Sequence, residues 1–168
     1  MQLVSLISSK VWKKHGNILA NERLVKDLKY LENVGVRVSR PTEKLIKAGL
    51  GAVVGDNLGL HSLAEMNSVF SSGIICRICK TVYSSVCQDN LLYAGMEEGH
   101  QPELFTIPLY DGLAQRALEE GRGPNTLGIR GHCVLNSLAS FHCITGMPPC
   151  LGHDFFEGRM GLCVVIIH

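Results

Sequence analysis

Leu45-Ile46-Lys47-Ala48-Gly49-Leu50-Gly51-Ala52-Val53-Val54-Gly55-Asp56 is the stretch on which the fold turns. It is a short apolar run closed by a glycine and a carboxylate, the pattern of a buried strand. A carboxylate is costly inside a core, so Asp56 belongs at the strand's exposed end. Such groups hold magnesium or manganese through oxygen, and two-metal nucleases gather several of them from separate segments. Asp56-Asn57 ahead of a helix is equally good N-capping chemistry. Both readings stand at this level.

Working outward, residues 57–70 return to helical character, with Leu60, Leu63 and Met66 on one side. Upstream, Leu3, Ile7 and Val11 predict an amphipathic helix over about 3–14, ended by Gly16 and Asn17. Leu24, Leu28 and Leu31, widened by Val25 and Tyr30, predict a second helix, with Asn21 as its cap and Asn33 and Gly35 as its stop. Residues 71–130 are irregular apart from a helix over Leu113 to Glu120. A weak helix at about 133–140, a turn at Pro148-Pro149 and a helix starting near His153 follow. Leu162 to His168 is an apolar ending with strand character.

Hydrophobic residues are 46% and charged residues 18% of the 168, a balance that excludes a disordered chain and allows one domain with a modest core. Aromatics are only 6%, which argues against broad stacking surfaces for single-stranded nucleic acid. Residues 1–50 hold 10 of the 16 Lys and Arg and 4 of the 15 acidic residues, about +6 against about −5 for the remainder. This basic stretch, with Lys10, Lys13, Lys14, Lys26 and Lys29, can approach the phosphates of DNA; the alternative is a solvated helix face of alternating charge. No apolar run spans a membrane, and the short patch Leu3 to Ile7 precedes its lysines, the reverse of a signal peptide. The expected compartment is nuclear or cytoplasmic, not secreted, where seven cysteines are thiols or metal ligands rather than disulfides.

Cys76-Arg77-Ile78-Cys79 is the sharpest local word. Two intervening residues let both sulfurs turn toward one centre, which is half of a tetrahedral zinc site. A redox pair and two unrelated core thiols are the rivals, although the Ser-Ser-Gly turn ahead of the motif is poor context for a redox site. Cys150-Leu151-Gly152-His153 repeats the spacing and would complete a Cys₃His site across a long loop. Otherwise Cys150 is a buried thiol and His153 serves a helix start. His132 and His142 are substitute ligands, and Cys87, Cys133, Cys143 and Cys163 read as core residues.

The order Gly55-Asp56-Asn57-Leu58-Gly59, Cys76-x-x-Cys79, Gly128-Ile129-Arg130, Cys133-Val134-Leu135-Asn136, Phe141-His142 and Pro148-Pro149-Cys150-Leu151-Gly152-His153-Asp154, with Phe156-Glu157-Gly158 behind it, resembles the central region of CACTA-type (En/Spm-like) cut-and-paste transposases. The resemblance covers about residues 1–160 and implies an α/β fold: a partial RNase H-like core with an inserted, mainly helical or irregular, zinc-binding segment. The implied division is a core over 1–72 (two helices, a strand ending at Asp56, a helix), a zinc-clasped insertion over 73–158 and a divergent tail over 159–168.

It further implies that Asp56 is the second catalytic carboxylate of a DDE-type nuclease. Cys76, Cys79, Cys150 and His153 would hold a structural zinc. The implied chemistry is Mg-dependent cleavage and transfer of DNA strands. The first carboxylate of such enzymes lies upstream of the opening helices and the third beyond the Gly152-His153-Asp154 segment, so Asp56 is an incomplete site. Magnesium or manganese enters only if the other carboxylates are supplied elsewhere. The expectation is a transposase-like fragment, inactive alone, with weak affinity for DNA and self-association through an open sheet edge. The alternatives are a zinc-dependent module that binds nucleic acid or protein without catalysis, and a non-functional remnant of a transposable element.

Overall fold

One continuous helix, α1 (Ser9–Asn33), replaces the two expected helices. Gly16 and Asn17 do not break it, because one glycine costs only about 1 kcal/mol against alanine and Ile18, Leu19 and Ala20 resume at once. The computed structural model describes residues 9–39, 43–68, 76–80, 103–120 and 126–149, with side chains from residue 21 onward. The expected helix near His153 and strand over 162–168 lie outside these residues. At its C-terminus α1 stops at Gly35, whose φ of 83° is the left-handed cap conformation that glycine takes freely. The Gly35 N–H donates to Tyr30 O at 2.9 Å, and a Cβ there would lie 2.5 Å from Ile46 O, so positive φ and close approach both require glycine.

The chain turns back into an antiparallel hairpin, β1 (Val36–Val38) and β2 (Lys44–Ile46), in the register Val36↔Ile46, Arg37↔Leu45, Val38↔Lys44. All six side chains are exposed. Among the described residues this hairpin is the whole of the regular sheet.

Of the apolar run only Leu45 and Ile46 lie in a strand, and the expectation of a strand ending at Asp56 is corrected for the rest of it, Lys47 to Val54. Its backbone donors are met by three separate elements instead of a neighbouring strand. Ala48 N–H donates to Leu31 O at 3.3 Å, Leu50 N–H to Ser140 Oγ at 2.9 Å and Val53 N–H to Gly146 O at 2.8 Å. Asp56 takes the other reading open to it: it is the N-cap of α2 (Asn57–Leu63), accepting from Gly59 N–H at 2.5 Å. Helix α2 is shorter than the predicted 57–70. Glu65 adopts φ 51° and ends it, while the Arg130 N–H holds the Glu65 carbonyl at 2.7 Å.

The core assembles on α3 (Ile107–Glu119), which starts earlier than the predicted Leu113. Thr106 caps it and Pro108 sits in its first turn, where a missing N–H costs nothing. Tyr110, Leu113, Ala114 and Ala117 form its buried stripe at helical spacing. Leu60, Ala64 and Met66 from α2 and its exit, Val25 from α1, and Ile129, Cys133, Leu135, Leu138 and Phe141 pack into the same cluster. Residues 133–140, predicted as a weak helix, form only a 3₁₀ turn, Val134–Ser137; a short helix, α4 (Cys143–Gly146), follows.

Gly146 lies against the Phe141 ring: a Cβ would fall 2.6 Å from Cδ2 and 3.0 Å from Cζ, and still closer to Cε2. Gly146→Ala is expected to overpack this corner and cost about 1–3 kcal/mol, read as an earlier midpoint in urea denaturation. An unchanged midpoint would show that the ring has room to move.

Candidate metal centre

Cys76 and Cys79 are buried, at 3% and 0% exposure, and their local geometry goes beyond shared burial. The Cys76 Sγ accepts the backbone N–H of Ile78 and that of Cys79, each at 3.3 Å. Two amide dipoles aimed at one sulfur stabilise negative charge on it, as a thiolate or a metal-bound thiolate requires. A neutral core thiol is a weak acceptor and gains less from the same arrangement. The loop is pinned from outside by residues 103–105. Lys80 N–H donates to Glu103 O at 2.9 Å, Phe105 N–H donates to Ile78 O at 2.8 Å, and Cys79 bridges Leu104 in antiparallel fashion. Lys80 and Glu103 also form an ion pair.

Arg77, inside the motif, reaches two distant segments. Its Nη1 donates to Asn57 Oδ1 at the start of α2, and its Nη2 donates to Pro148 O at 2.9 Å. Arg77 as a whole is 6% exposed. The knuckle, the turn that presents Asp56 and the Pro148-Pro149 approach to the second predicted pair thus share one side chain. Cys150 and His153 themselves lie outside the described residues, as do Cys87 and Cys163. Among the described residues no three His, Cys, Asp or Glu groups converge as a metal site.

The other expected site residues fall elsewhere. Asp56 is exposed, and its carboxylate caps α2. Lys26 and Lys29 are exposed on α1 beside Glu22, Arg23 and Asp27, a face of mixed sign. The side chains of Lys10, Lys13 and Lys14 lie outside the described residues. His132 is exposed. The ring of His142 is engaged in another network: its Nδ1 accepts from Ile144 N–H at 3.2 Å, and its Nε2 lies 3.3 Å from Asp111 Oδ1 and 2.9 Å from Asn136 Nδ2.

That network surrounds Tyr110, which sequence reasoning missed. Its hydroxyl donates to Ala64 O at 2.7 Å, with Gly131 O 3.3 Å away as a second acceptor, and accepts from Cys133 N–H at 3.0 Å. The ring stands edge-on to His142 with centroids 5.6 Å apart. Burial pushes the Tyr110 pKa up and keeps the phenol neutral. The Cys133 thiol is likewise held protonated, by its hydrogen bond with Cys143 and by burial. These groups tie the core together; they offer no open acid or base. A tyrosine at the centre of an apolar helix stripe was the one available signal, since a buried phenol needs partners.

Glu32 near the end of α1 accepts from Ala139 N–H at 3.1 Å, from Ser140 N–H at 2.9 Å and from the Ser140 hydroxyl. Hydrogen bonds from the Ser140 side chain and backbone hold its carboxyl below the ordinary value of 4.5. A depressed folded-state value means that the brace is fully present above the unfolded value and is lost as pH falls through the folded one. Acid titration should therefore release α1 from residues 139–140 below pH 4.5, and Glu32→Gln should flatten that step when α1 amide exchange is followed against pH. Identical acid profiles for the two proteins would remove the brace.

Comparison with protein-family models, with curated proteins and with solved structures finds no match to the chain. Among the described residues no helix is long and apolar enough to cross a membrane.

Proposed function

We propose that this chain belongs to a transposase-like protein, similar to CACTA-type enzymes, in which Cys76, Cys79, Cys150 and His153 hold a structural zinc. On this reading the zinc clasps an inserted, mainly helical or irregular segment to a partial α/β core of RNase H-like type, and the chain contacts DNA without cutting it alone. The observation that carries the reading is the pair of amide N–H groups on the Cys76 sulfur. Zinc would supply charge neutralisation and a cross-link between distant segments, and no redox chemistry. Arg77 would keep the Pro148 end of the second arm beside the first pair.

DNA contact falls to Lys26 and Lys29 with Lys10, Lys13 and Lys14; acidic neighbours on α1 keep it weak and salt-sensitive. Asp56 is one ligand of a magnesium or manganese site that needs further carboxylates. The hairpin edges, which have no strand partner among the described residues, and the exposed Val36, Val38, Leu45 and Ile46 favour self-association at high concentration. A zinc-dependent interaction module without catalysis is the second reading, favoured by the use of Asp56 as a helix cap.

Elemental analysis of the purified chain tests the metal directly. About one zinc per folded chain is expected, falling to background in the Cys76→Ser/Cys79→Ser double variant. A well-folded chain without zinc would remove the clasp. Incubating terminal-repeat DNA with magnesium separates the two readings of activity: strand cleavage means the acids are complete, and none means a binding module.

A further inference from the structure

We propose that Cys133 and Cys143 are a redox-sensitive pair that closes to a reversible disulfide when a hydroperoxide reaches Cys143. The inference goes beyond the proposed function and does not depend on the zinc reading. Both thiols are free and buried, at 2% and 4% exposure. The Cys133 S–H donates to the Cys143 sulfur. One residue holds both backbones in place for this contact: Asn136 N–H donates to Cys133 O at 3.0 Å, and Cys143 N–H donates to Asn136 Oδ1 at 2.8 Å. The Cys133 N–H is fixed further by the Tyr110 hydroxyl at 3.0 Å. Two sulfurs already in hydrogen-bonding contact, on backbones tied to one side chain, need little movement to bond.

The two thiols are not equivalent. Hydrogen bonds from Cys133 and from the Asn136 amide favour negative charge on the Cys143 sulfur and hold its pKa below the ordinary thiol value, whereas Cys133 keeps its proton. Cys143 is therefore the attacking sulfur and Cys133 the resolving one. As a thiolate, Cys143 takes the terminal oxygen of the hydroperoxide and becomes a sulfenic acid. The proton it gave up leaves with the alkoxide as an alcohol, or as water from hydrogen peroxide. The Cys133 sulfur then displaces the sulfenic hydroxyl, which departs as water with the Cys133 proton. The pair loses two electrons and the peroxide gains them.

Burial slows both thiols, so access depends on α4, a single turn that begins at Cys143. Such a turn opens locally at low cost, exposing Cys143 while Cys133 stays on Tyr110. The bridge closes the loop that carries Ser140, so oxidation clamps the surface against which Glu32 braces α1.

The test uses the full chain, reduced, freed of reductant and treated with hydrogen peroxide while folded. Remaining thiols are alkylated, and the protein is digested with chymotrypsin, which cuts after Phe141 between the two cysteines. The expected product is a pair of peptides joined through Cys133 and Cys143, about 2 Da lighter than its reduced parts and separated again by a dithiol. The oxidised chain should melt about 4–12 °C above the reduced one, because the bridge restricts the unfolded state, a rise that peroxide-treated Cys133→Ser does not show. In Cys133→Ser, oxidation should stop at a sulfenic acid on Cys143, trapped by a cyclic diketone; Cys143→Ser should give no such adduct at Cys133.

A bridge that forms only in urea makes the pair inert core thiols and overturns the switch. This is read on the parent chain, so it is decided even where a serine variant folds poorly. An adduct on Cys133 in Cys143→Ser overturns the order of attack. A bridged chain that melts with the reduced one, or below it, overturns the clamp.

Discussion

Cys79→Ala, or a strong chelator added to the parent chain, is expected to abolish protection of amides in residues 76–80 and 103–105 while α1 and α3 keep theirs. The knuckle is held by the fork of Arg77 on Asn57 and Pro148 and by residues 103–105. It pairs with residues 103–105 through two backbone hydrogen bonds and one exposed ion pair, and an exposed pair contributes at most about 1 kcal/mol. Structural zinc binding in isolated peptides is worth on the order of 10 kcal/mol, so its loss outweighs everything local. Helix α1 is braced independently through Glu32 and Ser140, and α3 is anchored by its own apolar stripe.

Hydrogen exchange with mass-spectrometric readout distinguishes the outcomes. Loss confined to the knuckle and its partner segment supports a local clasp, whereas equal loss in both halves of the molecule counts against it. The chelator separates metal from packing: if Cys79→Ala acts only by removing a buried thiol, the chelator leaves the parent chain unchanged.

Tyr110→Phe is expected to lower the melting temperature by about 2–12 °C, and Tyr110→Ala by more. The Phe variant preserves the ring and its contact with His142 but leaves Ala64 O and Cys133 N–H without the hydroxyl. Stranding buried polar groups costs about 1–3 kcal/mol, and in a chain of this size each kcal/mol shifts the midpoint by roughly 2–4 °C. The Ala variant adds a cavity at a residue that is 0% exposed, and aromatic-to-alanine changes in cores cost about 3–5 kcal/mol. Differential scanning calorimetry checks both. A Phe variant melting with the parent would show that the hydroxyl has no structural role, and the three segments it joins would need another anchor.

The two variants also report on different layers of the molecule. Tyr110 lies where α3, the exit of α2 and residues 131–133 converge, so its loss should act globally. Cys79 lies at the edge of that core, so its loss should act locally. A Tyr110 variant that melted only one segment would mean that these elements do not fold as one unit.

Some of the fold was legible because it depends on short-range chemistry. Asn33 and Gly35 mark the end of α1, since glycine alone adopts the required φ without strain and fits against Ile46 O. Asp56-Asn57 carries the capping signature that the structure uses. The Cys76–Cys79 spacing forms a turn in which the sulfur meets two amides. The start of α3 was equally available in Thr106-Ile107-Pro108, a cap followed by a first-turn proline. The apolar stripe alone marks only the later part of this helix, from Leu113.

The residues between Lys47 and Asp56 were not legible in this way. Hydropathy marks the run for burial, yet none of residues 47–56 is buried and Val54 is 75% exposed, and hydropathy says nothing of which groups satisfy the backbone. A strand partner and a set of scattered acceptors are equally compatible with the pattern. The contacts with Leu31, Ser140 and Gly146 chose the second. The same holds for Arg77, Glu32 and Tyr110, whose partners lie far away along the chain.

What the sequence by itself determined is therefore local: where α1 stops, and that Cys76 and Cys79 share one turn. The tertiary structure alone decided that Asp56 caps a helix instead of ending a strand, and that Arg77 joins the knuckle to α2 and Pro148. The physical reason is that φ preferences and capping hydrogen bonds act within a few residues, whereas the partner of a buried polar group is whichever acceptor the packed core brings within about 3 Å.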